Sequence, residues 1–394
     1  MSTPTIYVVA ATRTAIGTFG SSLKDVPLAD LATGVIRDAV ARSGAAPDAI
    51  GHLAMGTVIP TEPRDAYLSR VAAVNAGLPK ETPAFNVNRL CGSGLQAIVS
   101  AAQSIALGDC DMAIGAGAES MSRGAYLMPG ARWGTRMGDA QIQDFMLGAL
   151  HDPFHKIHMG ITAENVADAF GITREMMDAA AVESHRRAAA AIAAGHFRSQ
   201  ISPVVMATKK GEVVFDTDEH VKANTTMETL AAMRAAFKKD GRVTAGNASG
   251  INDGAAAVVL ASEAAVKAHG LTPLARWVGY AHAGVEPTLM GIGPVPATRK
   301  VLARAGWTVA DLDVVESNEA FAAQACAVTK ELGLDPAKTN PNGSGISLGH
   351  PVGATGAIIT TKAVHELHRT GGKRALVTMC IGGGQGIAAL LERV

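Results

Sequence analysis

The sequence is poor in aromatics and in surface charge. Phe, Tyr and Trp together supply 4% of its 394 residues, and only 18% are charged. Charge of neither sign is in excess, because 35 Lys and Arg balance 35 Asp and Glu. A protein built to hold nucleic acid through phosphate contacts usually shows a basic surplus, so no nucleic-acid partner is expected. A local cationic patch, for instance one meeting a ligand's phosphates, is compatible with the balance. Cysteine is also scarce: four residues, widely spaced, make no disulfide framework in a chain this long. They suit a reducing compartment, and the cytoplasm is the expected location. No stretch reads as a spanning helix of about 20 apolar residues, so no membrane partner is expected. The chain enters at once on Thr5-Ile6-Tyr7-Val8-Val9-Ala10-Ala11, a core strand rather than a signal peptide. Its last residues, Leu391 to Val394, form no peroxisomal address.

What is present is aliphatic bulk and glycine. Hydrophobic residues make up 48% of the chain, and there are 43 glycines. The length suffices for two or three domains' worth of core. Short apolar runs alternate with Ala-rich helical stretches at both ends, which predicts an α/β fold. The region from Met121 to Gly250 is richer in Arg, His, Met and Asp. It reads as an inserted domain, mostly helical and irregular.

The two ends also resemble each other. A helix through Val35 closing at Gly44 is followed by a strand at His52–Gly56. A helix from Val301 closing at Gly306 is followed by a strand at Leu312–Glu316. Later, Cys91-Gly92-Ser93-Gly94 opens a helix that leads to a strand from Asp111 to Gly117. Its counterpart is Gly349 to Gly356, opening a helix through His365 that leads to a strand from Ala375 to Cys380. If this order is a duplication, the equivalent turns converge about a pseudo-two-fold axis, with Cys91 on one side and His350 and Cys380 on the other. The expected division is residues 1–120 plus 251–270 for the first half, 121–250 for the insert and 271–394 for the second half.

Four segments carry chemistry. In Asn88-Arg89-Leu90-Cys91-Gly92-Ser93-Gly94 a thiol precedes a helix, where the macrodipole favours a thiolate and free N–H groups can hold an oxyanion. The two glycines would let backbone approach a ligand, and a buried structural thiol is the alternative reading. In Gly349-His350-Pro351-Val352-Gly353 a histidine sits on a fixed loop, as a base, a hydrogen-bond donor or a plain surface residue. Cys380-Ile381-Gly382-Gly383-Gly384-Gln385-Gly386 follows a strand. Its tail superficially fits a dinucleotide fingerprint, but the chain ends too soon for that site, so the turn is read as making space for substrate beside Cys380. In Glu316-Ser317-Asn318-Glu319-Ala320-Phe321, Asn318 can orient a water or donate to an oxyanion and Glu319 can do acid/base work. A helix cap followed by a solvated acid is the other reading.

Taken together these segments resemble the thiolase family, over essentially the whole chain. Arg13-Thr14-Ala15-Ile16-Gly17 and Thr244-Ala245-Gly246-Asn247-Ala248-Ser249-Gly250 are also similar to family motifs, and the likeness is greatest to bacterial biosynthetic thiolases. The resemblance implies duplicated α/β halves in a layered αβαβα arrangement with an inserted loop domain. It implies a reversible, ping-pong Claisen condensation of acetyl-CoA with a short acyl-CoA to 3-ketoacyl-CoA. Cys91 would carry the acyl group, helped by His350, and Cys380 would be the base that makes the carbanion. His350 and an Asn318-held water would stabilise the enolate, and the N–H groups of Cys91 and Gly382 would form the second oxyanion hole. Ser249, Phe237, Lys222, His158, Met159 and Phe321 would meet coenzyme A or the acyl group. Coenzyme A would be substrate and product, with no further cofactor, and the assembly a homotetramer built as a dimer of dimers.

Some questions stay open at this level. His151, His155 and His158 are spaced like metal ligands, but Pro153 interrupts the run and no metal is expected. Cys110 and Cys326 are expected in the core. A non-catalytic acyl-CoA binder, a long-chain degradative thiolase and a carrier-protein synthase are the rivals. The last typically pairs its Cys with two His, against which the second thiol, Cys380, speaks.

Overall fold

A computed structural model describes residues 4–209 and 211–394. The first half contributes strand β1 (Ile6–Arg13), helix α1 (Leu28–Ser43), strands β2 (His52–Gly56) and β3 (Ala84–Val87), helix α2 (Ser93–Leu107) and strand β4 (Met112–Ser120). The middle of the chain holds helices α3 (Met159–Phe170) and α4 (Arg174–Ala194). It is not free of strands: Val204–Thr208 and Gly211–Phe215 form a hairpin, and shorter paired segments lie around it. The chain then returns as β5 (Asn252–Ser262), which pairs with both β1 and β4. The second half follows with β6 (Ala275–Gly284), α5 (Pro294–Ala305), β7 (Val314–Ser317), α6 (Ala322–Leu332), α7 (Thr355–Thr370), β8 (Arg374–Ile381) and β9 (Gln385–Arg393).

The repeat is present in the hydrogen bonding. In the first half β2 runs parallel to β3 and β4, β4 antiparallel to β5, and β5 antiparallel to β1. In the second half β7 runs parallel to β8, β8 antiparallel to β9, and β9 antiparallel to β6. A single parallel bridge from Val315 to Thr339 stands where β3 stands in the first half. The halves join where Ile6–Val8 pairs with Ala275–Trp277, giving the order β7-β8-β9-β6-β1-β5-β4-β2-β3 in one ten-stranded sheet, with Gly17–Thr18 beside β5. Helix α1 covers the outer face of the first half and α5 that of the second, while α2 and α7 pack together between them.

The central strands are buried on both faces. Every residue of β4 and of β5 is buried, so neither shows the alternation of a half-exposed strand. Helices α1, α2, α5 and α7 end at Gly44, Gly108, Gly306 and Gly371, with φ between 66° and 83°, where a side chain would be strained. The window Leu90–Leu107 has the length and hydropathy of a spanning segment, contrary to the sequence-based reading. It is 67% buried within the fold, so its apolar character serves the core.

Candidate functional site

The thiol of Cys91 stands on a turn made rigid by its own neighbours. Asn88 Oδ1 accepts the Leu90 N–H at 2.9 Å. Ser93 Oγ accepts the Arg89 N–H at 2.8 Å and donates to the Leu90 carbonyl at 2.6 Å. These bonds hold Leu90 at φ 46°, a left-handed conformation uncommon for a branched residue. Nothing in the sequence marks that strain.

The glycines after the thiol serve packing, not ligand approach. A Cβ on Gly92 would strike the Ile381 side chain, and one on Gly94 would strike the backbone of Ala357 and Gly353. Both neighbours belong to the second half of the chain, so the turn is shaped to receive the other half. Cys91 is also less thiolate-like than its place before a helix suggested. Burial pushes the thiol up to about 11, against the pull of the N–H groups of Gly382 and Cys91 itself. Desolvation outweighs the dipole, so a resting thiol needs a base.

His350 is buried, with 5% exposure, and burial pulls its imidazolium down to about 4. The ring is therefore neutral near pH 7. Thr355 Oγ1 donates to the Pro351 carbonyl at 2.9 Å, so its 2.6 Å contact with His350 Nδ1 takes the ring's proton from Nδ1. That assignment leaves Nε2 with a lone pair, 3.4 Å from Asn318 Nδ2. The loop itself is pinned by Asn252, whose Oδ1 accepts the His350 N–H at 2.9 Å and whose Nδ2 donates to the Gly17 carbonyl at 3.0 Å. Gly349 has φ 112° and lies against the Asn252 side chain, leaving no room for a Cβ. Asn252 escaped the sequence reading because it looks like the start of a turn before Gly254.

Cys380 is fully buried at the end of β8, and burial followed by the nearby Cys91 raises its pKa. The turn after it makes a β8–β9 hairpin, so the tail from Gln385 onward is strand, where a dinucleotide site needs a helix. Gly383 and Gly384, both at φ 80°, shape that hairpin, and Gly382 alone of the glycines there faces the cavity.

Cys91, His350, Cys380 and Gly382 line one cavity of about 440 Å³. The insert and the segment after β7 supply further walls, including Ser249, Phe237, Lys222, His158, Met159 and Phe321. Phe237 stacks on His158 with centroids 4.6 Å apart and meets Phe321 edge-on at 6.1 Å. His158 Nδ1 accepts the Gly160 N–H at 3.0 Å, capping α3. The Ser249 N–H donates to the Ala320 carbonyl and the Ala322 N–H to the Asn247 carbonyl, at 2.9 and 2.8 Å, so the end of the insert is tied to the Asn318 segment. The Arg13 guanidinium forms a buried bidentate pair with Asp218 at 2.7 and 2.9 Å, anchoring the loop that carries His220 and Lys222.

Not every candidate reaches the cavity. Asn318 lies behind His350, outside the lining, with its Oδ1 buried and without a partner among the described residues. Glu319 is buried and accepts from Ser184 Oγ at 2.6 Å and Asn340 Nδ2 at 3.0 Å, so it braces the fold instead of facing substrate. Cys110 and Cys326 are half-buried, not core. His155 bonds Asp152 at 3.0 Å while His151 packs edge-on to His158 at 5.1 Å. Among the described residues no group of three or more His, Cys, Asp or Glu is placed to hold a metal ion.

The family model "Thiolase, N-terminal domain" matches residues 6–264, and "Thiolase, C-terminal domain" matches residues 271–393. The chain belongs to the thiolase family. It is 66% identical to beta-ketothiolase BktB of Cupriavidus necator over 99% of both chains, and 51% identical to an acetyl-CoA acetyltransferase of Chromobacterium violaceum over 98% and 99%. Human mitochondrial 3-ketoacyl-CoA thiolase superposes with a TM-score of 0.97 at 45% identity over 99% of each chain. The Bacillus anthracis acetyl-CoA acetyltransferase gives 0.97 at 46% over the whole of both. Cys91, His350 and Cys380 thus meet in one cavity of a thiolase fold.

Proposed function

We propose that this thiolase is an acetyl-CoA C-acyltransferase that condenses acetyl-CoA with a short acyl-CoA, reversibly, through an acyl thioester on Cys91. The observation that carries the reading is the convergence of two thiols and a neutral histidine, from opposite halves, on one cavity. Cys91 Sγ attacks the thioester carbonyl as its proton passes to His350 Nε2, and coenzyme A leaves as a thiolate that takes up the proton of the Cys380 thiol. Cys380, now a thiolate, takes an α-proton from a second acetyl-CoA. His350, still protonated at Nε2, and a water on Asn318 stabilise the enolate oxygen, and the carbanion attacks the acyl-Cys91 carbonyl, returning Cys91 as a thiolate that His350 reprotonates. The N–H groups of Cys91 and Gly382, which face the sulfur in the resting site, accommodate the oxyanion of that step. Cleavage of 3-ketoacyl-CoA by coenzyme A is the same path reversed.

Ser249, Phe237, Lys222, His158, Met159 and Phe321 are assigned to the coenzyme A and acyl groups. Coenzyme A is substrate and product, and no further cofactor is assigned. The division at 1–120 plus 251–270, 121–250 and 271–394 is supported by the return of β5 to the first half. A homotetramer is supported by exposed apolar side chains on the insert, among them Trp133 at 87%, Met137 at 104% and Phe154 at 69%. A cytoplasmic location is part of the same reading.

Incubation with labelled acetyl-CoA, acid quench and peptide mapping should place the label on Cys91. A protein that turns over without ever labelling Cys91, or that accepts only malonyl-carrier protein, would contradict this assignment. Rates with 3-ketoacyl-CoAs of increasing chain length, in both directions, separate the short-chain from the long-chain reading.

A further inference from the structure

Two helix starts meet at the pseudo-two-fold axis, and only one carries a thiol. Gly94 on α2 and Gly356 on α7 form the mutual contact: a Cβ on Gly94 would strike Ala357 N, and one on Gly356 would strike Leu95 N. Three residues before each of these glycines stand Cys91 and Gly353, so Gly353 is the counterpart of Cys91. The N–H of Gly382, just past β8, faces the Cys91 sulfur. At Gly353 the partner comes from β4, the counterpart of β8: Glu119 Oε2 accepts the Gly353 N–H at 2.8 Å. The same carboxylate accepts the N–H groups of Val58 at 3.1 Å and Ile59 at 3.0 Å, and it has no exposed surface.

These partners lie on both sides of the site. Val58 lines the cavity from the first half, and Gly353 belongs to the second-half loop that carries His350. The fit is close, because a Cβ on Gly353 would strike Glu119 Oε2 and Thr57 Cα. We propose that Glu119 is a positioning residue for acyl transfer: its carboxylate fills the thiol-free counterpart of the Cys91 site and fixes the His350 loop against the cavity wall of the other half. The inference rests on the reading of Cys91 and His350 as the acyl-transfer pair.

Glu119 has a second, opposite effect. Burial pushes its carboxyl up to about 8, Asp253 on β5 adds a like charge, and the three N–H groups pull the other way. Whatever negative charge it holds disfavours the Cys91 thiolate. Ordering of the loop therefore helps turnover while the charge hinders ionisation of the thiol, and the two can be separated.

Glu119→Gln keeps the size, removes the charge and turns an NH2 group toward one of the N–H donors. Turnover (kcat) with acetyl-CoA should fall roughly tenfold or more, with KM changed less than about threefold, as expected for a misplaced catalytic group. Alkylation of Cys91 by iodoacetamide at about pH 9, where the wild-type Glu119 carboxyl is ionised, mapped by peptide mass, should become faster, while Cys110 and Cys326 react as in the wild type. Glu119→Asp keeps the charge but is too short for all its partners. It should lose turnover without the faster alkylation, and it carries the test alone if the Gln variant does not fold. Wild-type kcat in either folded variant overturns the proposal. So does a faster reaction at all three cysteines, which would mean general loosening. Failure of the wild type to label Cys91 would instead sink the underlying assignment, so the two failures are distinguishable.

Discussion

In the first half, β4 lies between parallel β2 and antiparallel β5, and α2 rises from the turn at Cys91. In the second, β8 lies between parallel β7 and antiparallel β9, and α7 rises from the loop at His350. The same scaffold is built twice, but the contents of its turns differ. The first half offers the sulfur that we assign to the acyl group. The second offers the histidine, the second thiol and the Gly382 N–H. Neither half alone holds a complete site, and the cavity exists because α2 and α7 pack face to face. A duplicated fold can thus supply one asymmetric centre, with the duplicate position at Gly353 closed by an internal carboxylate.

The division of labour is tested most strongly by Cys380→Ser. Condensation should fall by about 10² or more, the scale of a lost general base, while labelled acetyl-CoA still acylates Cys91. Equal loss of both half-reactions would break the contrast between the halves. The symmetry itself is tested by Gly94→Ala and Gly356→Ala. Each added methyl meets backbone that cannot turn aside, so each should destabilise by about 1–3 kcal/mol in urea unfolding. One costly and one silent substitution would mean that the crossing is not mutual.

The histidine gives a pH signature. Burial holds the His350 pKa down at about 4, against an ordinary value of 6.5. Between those values the unfolded chain binds more protons, so this group's stabilising contribution is intact above pH 6.5 and is lost as pH falls toward 4. His350→Gln lacks that dependence. The wild-type stability advantage over the variant should therefore shrink by about 2 kcal/mol from pH 7 to pH 5. A difference independent of pH would show that His350 is not held neutral by burial. The smallest effect concerns the insert. Lys222→Ala removes an exposed cation at the cavity and should raise KM for acyl-CoA by about two- to fivefold, less so at high salt, with kcat unchanged.

Much of this was legible because glycine punctuates the chain. The helices closing at Gly44 and Gly306, and the strands at His52–Gly56 and from Ala375, lie where the pattern puts them within a few residues. The strands β5 and β6 were not recognised. The run Asn252 to Ser262 is buried on both faces and Ala-rich, so periodicity has nothing to alternate. The hairpin β8–β9 was hidden by glycines that imitate a phosphate loop. At the site, the chemistry-bearing types stood out in their motifs, whereas Asn252 and Glu119 did not. Their importance comes from hydrogen bonds to residues far along the chain, to Gly17 and His350 for the one and to Val58 and Gly353 for the other.

The sequence by itself determined the α/β class, the repeat, the thiol before a helix, the histidine loop and the second thiol. Local pattern and residue chemistry are enough for those. Tertiary structure decided what the glycines beside Cys91 are for, because only the packed second half shows Ile381 and α7 resting on them. It also decided the protonation of the site. A helix start favours a thiolate in isolation, but partial burial against the other half disfavours the charge more strongly, and the thiol is pushed up to about 11.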